Sequence, residues 1–293
     1  MDGFINLLKP PGMTSSDAVL AVRRLLPKKT AVGHGGTLDP DAAGVLPVCV
    51  GKATRLFDYI IDKRKVYIGE LCLGIITDTC DLSGKVLEER PVSLTCQEIK
   101  TVFNEFIGDI MQIPPAFSAL KKGGVPLYVL ARKGESPELE PRSVHIDAIE
   151  YLEQTAPCRH LIKISCGKGV YIRSLMRDIG DRLGTGGCMS FLLRAEAGAF
   201  NVNEAVTIDE LKAMSVESAL KPMDTLLMAY PRIDVKPSCA KRVLNGMPLE
   251  SEMLLNTVST GQIVRLYLND KFAGMGAAQD DGRVIFRAML FTV

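Results

Sequence analysis

Hydrophobic residues recur every three or four positions in several segments of the chain, a spacing that places them on one face of a helix. One segment opens at Ser15-Ser16-Asp17, residue types that cap helices, and stops at Pro27. Two more open with the capping-box pattern of threonine followed three residues later by glutamate, at Thr95 and at Thr207. The sequence therefore predicts helices at these three places, the second of them ending at Gly108.

A fourth amphipathic segment begins near Tyr171, directly after Gly167-Lys168-Gly169, and stops at Gly184. Arg173 lies at the start of this predicted helix and off its apolar face, so its guanidinium is available for hydrogen bonds outside the core. The apolar face comprises Ile172, Leu175, Met176, Ile179 and Leu183.

In two further segments, apolar and polar residues alternate as they do in strands with one buried face. These segments are Lys65–Leu73 and His160–Cys166. Strands and helices mix without the regular βαβ rhythm of a doubly wound sheet, and this mixture favours an α+β fold.

The chain changes character after Ala229-Tyr230-Pro231. Beyond this point, strand-like runs joined by short turns follow one another. They lie at Gln262–Leu268, Phe272–Ala278 and Arg283–Phe291, the first two joined at Asn269-Asp270. We therefore predict a large domain at residues 1–228 and a small all-β module at residues 229–293.

The composition suits a folded core and argues against several classes of protein. Hydrophobic residues make up 47% of the chain, and no window reaches the ~18 consecutive apolar residues of a membrane span. The start, Met1-Asp2-Gly3-Phe4, lacks the basic region of a secretory signal, so we expect a cytoplasmic protein. The 8 cysteines include no Cys-x-x-Cys pair, which argues against zinc sites and a disulfide framework. The net charge of +1 is compatible with a local basic groove but not with a surface devoted to nucleic acid.

Two glycine-containing segments look like cofactor-binding loops but lack required residues. Gly33-x-Gly35 has Leu38 in place of the third glycine of a dinucleotide-binding loop. Gly51-Lys52-Ala53-Thr54 has Ala53 where a phosphate-binding loop needs serine or threonine. We therefore predict neither a dinucleotide-binding loop nor a phosphate-binding loop at these positions.

The segment from Gly33 to Pro47 is the most informative, and it is too rich in glycine and proline for a helix or strand. It presents a carboxylate, Asp39, whose backbone is biased to extended geometry because Pro40 follows it. A single acid on a tightly specified loop suits nucleophilic or base chemistry on a bulky substrate. An isolated Asp-Pro dipeptide is more often a surface turn, so the choice depends on the rest of the chain.

Three further segments accompany the Asp39 loop: Asn6–Ser15 before it, then Lys65-Val66-Tyr67 and Cys166–Leu175. In this order the four resemble the bacterial tRNA pseudouridine synthase B family, and the resemblance extends to Lys221. It implies isomerisation of uridine 55 in the T loop of tRNA. It also implies a pseudouridine synthase fold, with a mixed, mainly antiparallel central sheet flanked by helices. The C-terminal module resembles, more loosely, the PUA RNA-binding domain of that family.

Pseudouridine formation breaks the C1′–N1 bond, turns the uracil and joins C5 to C1′, so it needs one carboxylate and no cofactor. The resemblance implies that Asp39 attacks C1′ or assists elimination at C2′, and the sequence leaves both routes open. It also implies that Arg173 pairs with Asp39, which would favour the ionised acid, and that Tyr171 contacts the target base. From the pattern alone, Arg173 fits a surface arginine as well as a partner of Asp39. Tyr171, likewise, fits a core tyrosine under the helix.

The resemblance assigns three more residues to the substrate. Tyr67 would stack on the uracil, His34 would hold the RNA loop open after the base flips, and Leu192 would line the pocket. By pattern alone, these residues are a cross-strand aromatic, an exposed loop histidine and a core leucine.

The target base is stacked in a folded tRNA, so binding energy must offset its extrusion. The resemblance implies a flexible, RNA-clamping insertion at about residues 112–140, whose Lys121 and Arg132 would bind phosphates. Lys9 in the opening motif is a further phosphate candidate. Without the resemblance, the insertion would be interpreted as a solvated charged loop.

We expect the T-arm stem-loop of tRNA as the partner, with no membrane, no obligate protein partner and a monomeric enzyme. Two alternatives remain: a non-enzymatic RNA-binding or tRNA-folding protein, and a nucleosidase that would release free uracil. The set Asp39, Tyr67, Tyr171 and Arg173 argues against the first as the sole role. The lack of a second plausible catalytic acid argues against the nucleosidase.

Overall fold

The computed structural model describes residues 1–61, 64–118, 120–134 and 139–290. In these ranges the strands are β1 (Gly3–Lys9), β2 (Val32–His34), β3 (Ala43–Val50), β4 (Lys65–Leu73), β5 (Ile75–Thr77), β6 (Val86–Glu89), β7 (Gly108–Gln112), β8 (Lys121–Lys122), β9 (Val125–Pro126), β10 (Arg142–Ala156), β11 (Arg159–Cys166), β12 (Gly187–Ala197), β13 (Phe200–Asn201), β14 (Arg232–Val235), β15 (Ile263–Leu268), β16 (Lys271–Ala278) and β17 (Val284–Met289). The α-helices are α1 (Ser15–Arg24), α2 (Phe57–Ile61), α3 (Cys96–Phe103), α4 (Leu127–Arg132), α5 (Ile172–Arg182), α6 (Ile208–Ala213), α7 (Val216–Ala219) and α8 (Ala240–Leu244).

A central sheet organises the larger part of the molecule. Within the described ranges its order is β1-β3-β12-β4-β11-β10-β7, with β2 paired to β3 and β13 to β12. The pairs are antiparallel except β3 with β12, which run parallel. Helices flank this sheet, so the predicted α+β class with a mixed, mainly antiparallel sheet is confirmed.

Helix α5 packs on β4 and β12 at the centre of the sheet. The apolar face predicted for it is buried, because Ile172, Leu175, Met176 and Ile179 belong to the core cluster beneath it. Gly69 of β4 lies under the helix, where a Cβ atom would come within 2.8 Å of the Met176 methyl group. This close packing fixes the start of α5 relative to the sheet.

Most predicted elements are present, with differences at their ends. The predicted strand Lys65–Leu73 matches β4 at both ends. Helix α1 is capped by Thr14, one residue before the predicted cap, and Thr14 Oγ1 accepts from the Asp17 N–H at 3.0 Å. Helix α3 ends at Phe103 rather than near Gly108, because a turn of 3₁₀ helix follows it.

Part of the segment expected to be a loop is strand. Pro47 lies inside β3, and its C=O accepts from the Gly35 N–H at 2.7 Å. The proline nitrogen therefore faces the side on which β2 has already ended at His34, so the missing N–H costs no ladder bond. The true loop between the two strands is restricted to residues 35–42.

The insertion at residues 112–140 contains more secondary structure than the flexible loop that was predicted. Strands β8 and β9 form a hairpin, and the short helix α4 follows it. The Tyr128 N–H donates to the Ser118 C=O at 3.0 Å, which ties the helix back to the start of the insertion.

The C-terminal module has a four-stranded sheet of its own, in the order β14-β15-β16-β17. The predicted turn joins β15 to β16, and Asn269 and Asp270 have φ values of 50° and 60°, as in tight hairpin turns. The all-β character is confirmed, although the short helix α8 and the parallel strand β14 were not predicted. Met275, Ala288 and Leu290 of this module share a core cluster with Phe4 of β1.

Candidate active site

The loop between β2 and β3 holds Asp39 in a defined position. Leu38 is buried, and its N–H and C=O both bond to the Ser15 hydroxyl, at 2.9 and 3.0 Å. On the other side of Asp39, the Pro40 C=O accepts from the Gly12 N–H at 3.0 Å. The loop is therefore braced on both sides, while 36% of the Asp39 side-chain surface remains exposed.

Arg173 binds Asp39 through two hydrogen bonds. Nε donates to Oδ2 at 2.9 Å and Nη2 donates to Oδ1 at 3.0 Å, the bidentate geometry that arginine forms with carboxylates. Arg173 lies in the first turn of α5 and is only 5% exposed. The contact that the resemblance implied is present, and Asp39 is the member of the pair that a substrate can reach.

A second carboxylate, Asp81, lies close to the Arg173 guanidinium. Asp81 Oδ2 is 3.5 Å from Arg173 Nη1, and the same nitrogen donates to the Thr79 C=O at 3.2 Å. Asp81 Oδ1 accepts from the Thr79 hydroxyl at 2.7 Å and from the Ser83 N–H at 3.0 Å. With these contacts, Asp81 supports Arg173 and has little freedom for other chemistry. It was not among the residues predicted from the sequence, although the polar turn after β5 was a signal.

Tyr171 is the residue before α5, and Gln112 holds its backbone. Its N–H donates to Gln112 Oε1 at 2.9 Å, and Gln112 Nε2 donates to its C=O at 3.2 Å. Burial raises the pKa of Tyr171, and the negative charge of Asp39 adds to the rise. The phenol is therefore protonated at neutral pH and lies within electrostatic reach of Asp39.

Tyr67 and Leu192 belong to one core cluster with Leu38, the residue before Asp39. Tyr67 is 7% exposed on β4 and pairs in register with Arg194 of β12. Burial raises the pKa of Tyr67, so its phenol is also neutral. The structure thus places both predicted substrate residues beside the loop, on the central strands of the sheet.

His34 is the last residue of β2, directly before the loop. It is half-buried rather than exposed, and its Nδ1 is buried with no hydrogen-bond partner among the described residues. Burial and the positive charge of Arg194 lower the pKa of His34, which keeps the ring neutral at pH 7.

The position of Lys9 argues against the predicted phosphate contact. Its side chain is fully buried, and Nζ donates to the C=O groups of Pro10, Met13 and Pro40 at 2.7, 2.6 and 2.9 Å. Burial lowers the pKa of Lys9 to about 8. Since the three hydrogens of an ammonium group are directed at three carbonyls, Lys9 supports the Asp39 loop and presents no donor to an RNA phosphate.

Arg194 is the second residue of the site that was not predicted from the sequence. Its guanidinium donates to the C=O groups of Gly36, Thr37 and Val45 at 3.0, 3.3 and 2.7 Å. The available signal was one charged residue after the apolar run Phe191-Leu192-Leu193, on a strand that had to lie in the core.

The side chains of Lys121 and Arg132 lie outside the described residues, so their phosphate contacts stay predictions. In the described part of the chain, no group of three or more histidine, cysteine, aspartate or glutamate side chains could hold a metal ion. Among the described helices, none is long and apolar enough to cross a membrane.

Comparison with known proteins places this geometry in a family. Residues 23–172 match the model of the TruB family pseudouridylate synthase N-terminal domain. Residues 173–228 match the tRNA pseudouridylate synthase B C-terminal domain, and residues 231–289 match the C-terminal region of pseudouridine synthase II TruB.

Curated relatives match almost over their full length. The tRNA pseudouridine synthase B of Alkaliphilus oremlandii is 45% identical over 287 residues, covering 96% of this chain and 94% of that protein. The tRNA pseudouridine synthase B of Clostridium tetani is 38% identical over 291 residues, covering 99% of this chain and 100% of that protein.

Solved structures share the fold. An archaeal box H/ACA sRNP Nop10-Cbf5 complex contains a chain with a TM-score of 0.74 and 26% identity, over 99% of this chain and 86% of that one. An H/ACA RNP bound to a substrate RNA containing 2'-deoxyuridine gives a TM-score of 0.73 and 25% identity, over 99% of this chain and 84% of that one. The family matches, the near-complete relatives and the shared fold together show that this chain belongs to the TruB family of pseudouridylate synthases.

Proposed function

We propose that this protein converts uridine 55 in the T loop of tRNA to pseudouridine, with Asp39 as the catalytic carboxylate. The main support is the partly exposed Asp39 carboxylate held by both nitrogens of the buried Arg173 fork. The two hydrogen bonds hold the Asp39 carboxylate in place, where it would attack C1′ or assist elimination at C2′. The curated relatives named tRNA pseudouridine synthase B support tRNA as the substrate.

The reaction is an isomerisation, so the uracil must stay in the site after the C1′–N1 bond breaks. Tyr67 and Leu192 lie in the cluster beside the Asp39 loop and would form the apolar surface against which the free base turns. Because its pKa is raised, Tyr171 would contact the base as a neutral phenol that can donate or accept a hydrogen bond. His34, neutral at the edge of the loop, would contact the opened RNA loop.

We infer that the insertion would close on the RNA beside the site. Its Phe117 C=O accepts from Arg173 Nη2 at 2.9 Å, and its Ile113 C=O accepts from the Ser174 hydroxyl at 2.8 Å. These bonds anchor the insertion to the first turn of α5, where the catalytic arginine also lies. Lys122 and Lys133 are exposed farther along it and would contact phosphates, as would Lys121 and Arg132.

We further propose that residues 1–228 form the catalytic part and residues 229–293 an accessory RNA-binding part. The enzyme would act in the cytoplasm as a monomer, without a protein partner. A non-enzymatic RNA-folding role would use the same surface around the Asp39 loop, and base flipping already requires the RNA loop to open.

The test is tritium release from a T-arm stem-loop labelled at C5 of uridine, with the Asp39→Asn protein alongside. Wild-type protein should release tritium and leave pseudouridine at one loop position, while D39N should bind the RNA and release none. Asp41→Asn is the matched control, because Asp41 is an exposed carboxylate in the same loop. It should keep the rate within about 3-fold, as surface substitutions usually do.

Three results would contradict the proposal. Full activity of D39N would remove Asp39 from the chemistry. Tight binding without tritium release by the wild type would favour the RNA-folding role. Free uracil as the product would identify a nucleosidase.

A further inference from the structure

Arg194 joins the two ends of the catalytic loop. Its Nη2 and Nη1 donate to the C=O groups of Gly36 and Thr37, before Asp39, and its Nε donates to the C=O of Val45, after the loop. Arg194 is 1% exposed and, among the described residues, it has the largest of the fully buried side chains. A single guanidinium therefore fixes carbonyls on both sides of the acid.

The backbone of Arg194 also touches the loop. Gly44 pairs with it across the parallel β3–β12 contact, and a Cβ atom on Gly44 would lie 2.3 Å from the Arg194 C=O. Gly44 and Gly36 have φ values of 118° and 114°, in the region that glycine adopts readily. Gly36 and Gly44 therefore lie on either side of Asp39 in the chain, and each packs against Arg194.

The charge of Arg194 acts on the loop as well as its hydrogen bonds. It lowers the pKa of His34, in the same direction as burial. Tyr67 is the register partner of Arg194 on β4, so the arginine lies between the catalytic loop and the aromatic residue proposed to stack on the base. Arg194 is therefore linked to several parts of the site while being too deeply buried to reach an RNA substrate.

We propose that Arg194 is a positioning residue for pseudouridine formation. It acts by clamping the carbonyls that flank Asp39, so that the carboxylate stays where it must meet C1′. This inference rests on the proposed function. A protein that lacks this clamp would still bind RNA through its other contacts, but the acid would spend less time in the reactive position.

The experiment compares Arg194→Met and Arg194→Lys with the wild type, using a T-arm stem-loop at saturating protein in single turnover. We expect R194M to lower the saturated rate constant by about 100-fold, since misplacement by about 1 Å has effects of that size. R194K retains the charge and fewer donors, so its loss should be smaller. The dissociation constant of the RNA should change by less than about 3-fold, because Arg194 touches no substrate.

Arg265→Met is the matched control. Arg265 is also a buried arginine, 7% exposed, and donates to the Tyr230 C=O at 2.8 Å, but it lies in the C-terminal module. Its loss should lower the free energy of unfolding without changing the saturated rate constant. If R265M slows the reaction as much as R194M, the effect is a general consequence of losing a buried arginine, and the proposal is wrong.

A second readout is independent of activity. The chain has 3 histidines, so the titration of the His34 ring can be followed by NMR and assigned with His34→Gln. The His34 midpoint should rise in R194M, which loses the charge, and stay near the wild-type value in R194K. If R194M does not fold, R194K must show a rate loss of more than about 10-fold with an unchanged midpoint for the proposal to stand.

The outcomes separate the two proposals. Wild-type protein that makes no pseudouridine overturns the proposed function and, with it, the role of Arg194. Active wild type together with R194M and R194K at nearly wild-type saturated rates overturns only the role of Arg194.

Discussion

Gln112 holds the backbone of Tyr171 with both ends of its side-chain amide, in bonds of 2.9 and 3.2 Å. Gln112 ends the edge strand β7 and is 1% exposed, so this contact ties the edge of the sheet to the start of α5. Without the Gln112 amide, the N–H and C=O groups of Tyr171 would lose these two partners at the start of α5. One amide thus sets the position from which both the tyrosine and, two residues later, Arg173 are presented.

We predict that Gln112→Ala lowers the single-turnover rate constant by about 10-fold, because the start of α5 loses two partly buried hydrogen bonds. Stopped-flow or quench measurements with a labelled T-arm stem-loop would give this value. Gln154→Ala is the control, since Gln154 is exposed and its amide donates to the Ala156 C=O of its own strand, β10. Equal rates for Q112A and wild type would show that the amide contact has no part in positioning the site.

Asp81→Asn should lower the rate constant by about 10-fold while leaving RNA affinity nearly unchanged. The substitution removes a negative charge 3.5 Å from Arg173 Nη1, so the guanidinium loses one of the groups that hold it toward Asp39. Single-turnover assays and RNA titrations would measure both quantities. Asp78→Asn, in the same turn, is the control. If it lowers the rate constant as much as Asp81→Asn, the effect comes from disturbing the turn and not from the charge beside Arg173.

Gly44→Ala should destabilise the protein by more than about 3 kcal/mol, because the new Cβ would be forced against the backbone. The site has a φ of 118°, and the atom would lie 2.3 Å from the Arg194 C=O. Gly184→Ala is the matched control, since Gly184 also has a positive φ, 76°, but no atom within 4 Å of the new Cβ. It should cost only about 1 kcal/mol. Urea unfolding would compare the two, and equal losses would exclude the clash as the cause.

The lowered pKa of the buried Lys9 predicts how the stability of the protein depends on pH. Its folded pKa of about 8 lies below the ordinary value of 10.5, so the folded state binds fewer protons than the unfolded state between these values. Its contribution to the free energy of unfolding therefore rises as pH increases from about 8 to about 10, and is lost again as pH falls.

The measurement is the difference in the free energy of unfolding between wild type and Lys9→Met across this pH range. Taking the difference cancels the buried tyrosines and cysteines, whose raised pKa values act in the opposite direction. The difference should grow by ~2 kcal/mol in favour of wild type as pH rises. A flat difference would show that Lys9 is not desolvated in the folded protein.

The sequence by itself determined the local elements that depend on neighbouring residues. The strand at Lys65–Leu73 and the capped helices at Thr95 and Thr207 follow from period and capping chemistry, which involve contacts within a few residues. The hairpin turn at Asn269-Asp270 follows from residues that tolerate positive φ. The order of the motifs and the family resemblance were also enough to single out Asp39 and Arg173 as a pair.

Only the tertiary structure decided which side chains serve the Asp39 loop. Lys9 looked like a phosphate ligand because a lysine beside prolines gives no sign of burial, and its three carbonyl partners come together only on folding. Arg194 lies 155 positions after Asp39, and Asp81 reaches Arg173 from another turn of the chain. Sequence periodicity records which face of an element is buried, but it cannot record which distant carbonyl or guanidinium lies opposite. That information is fixed by the packing of β3, β12 and α5.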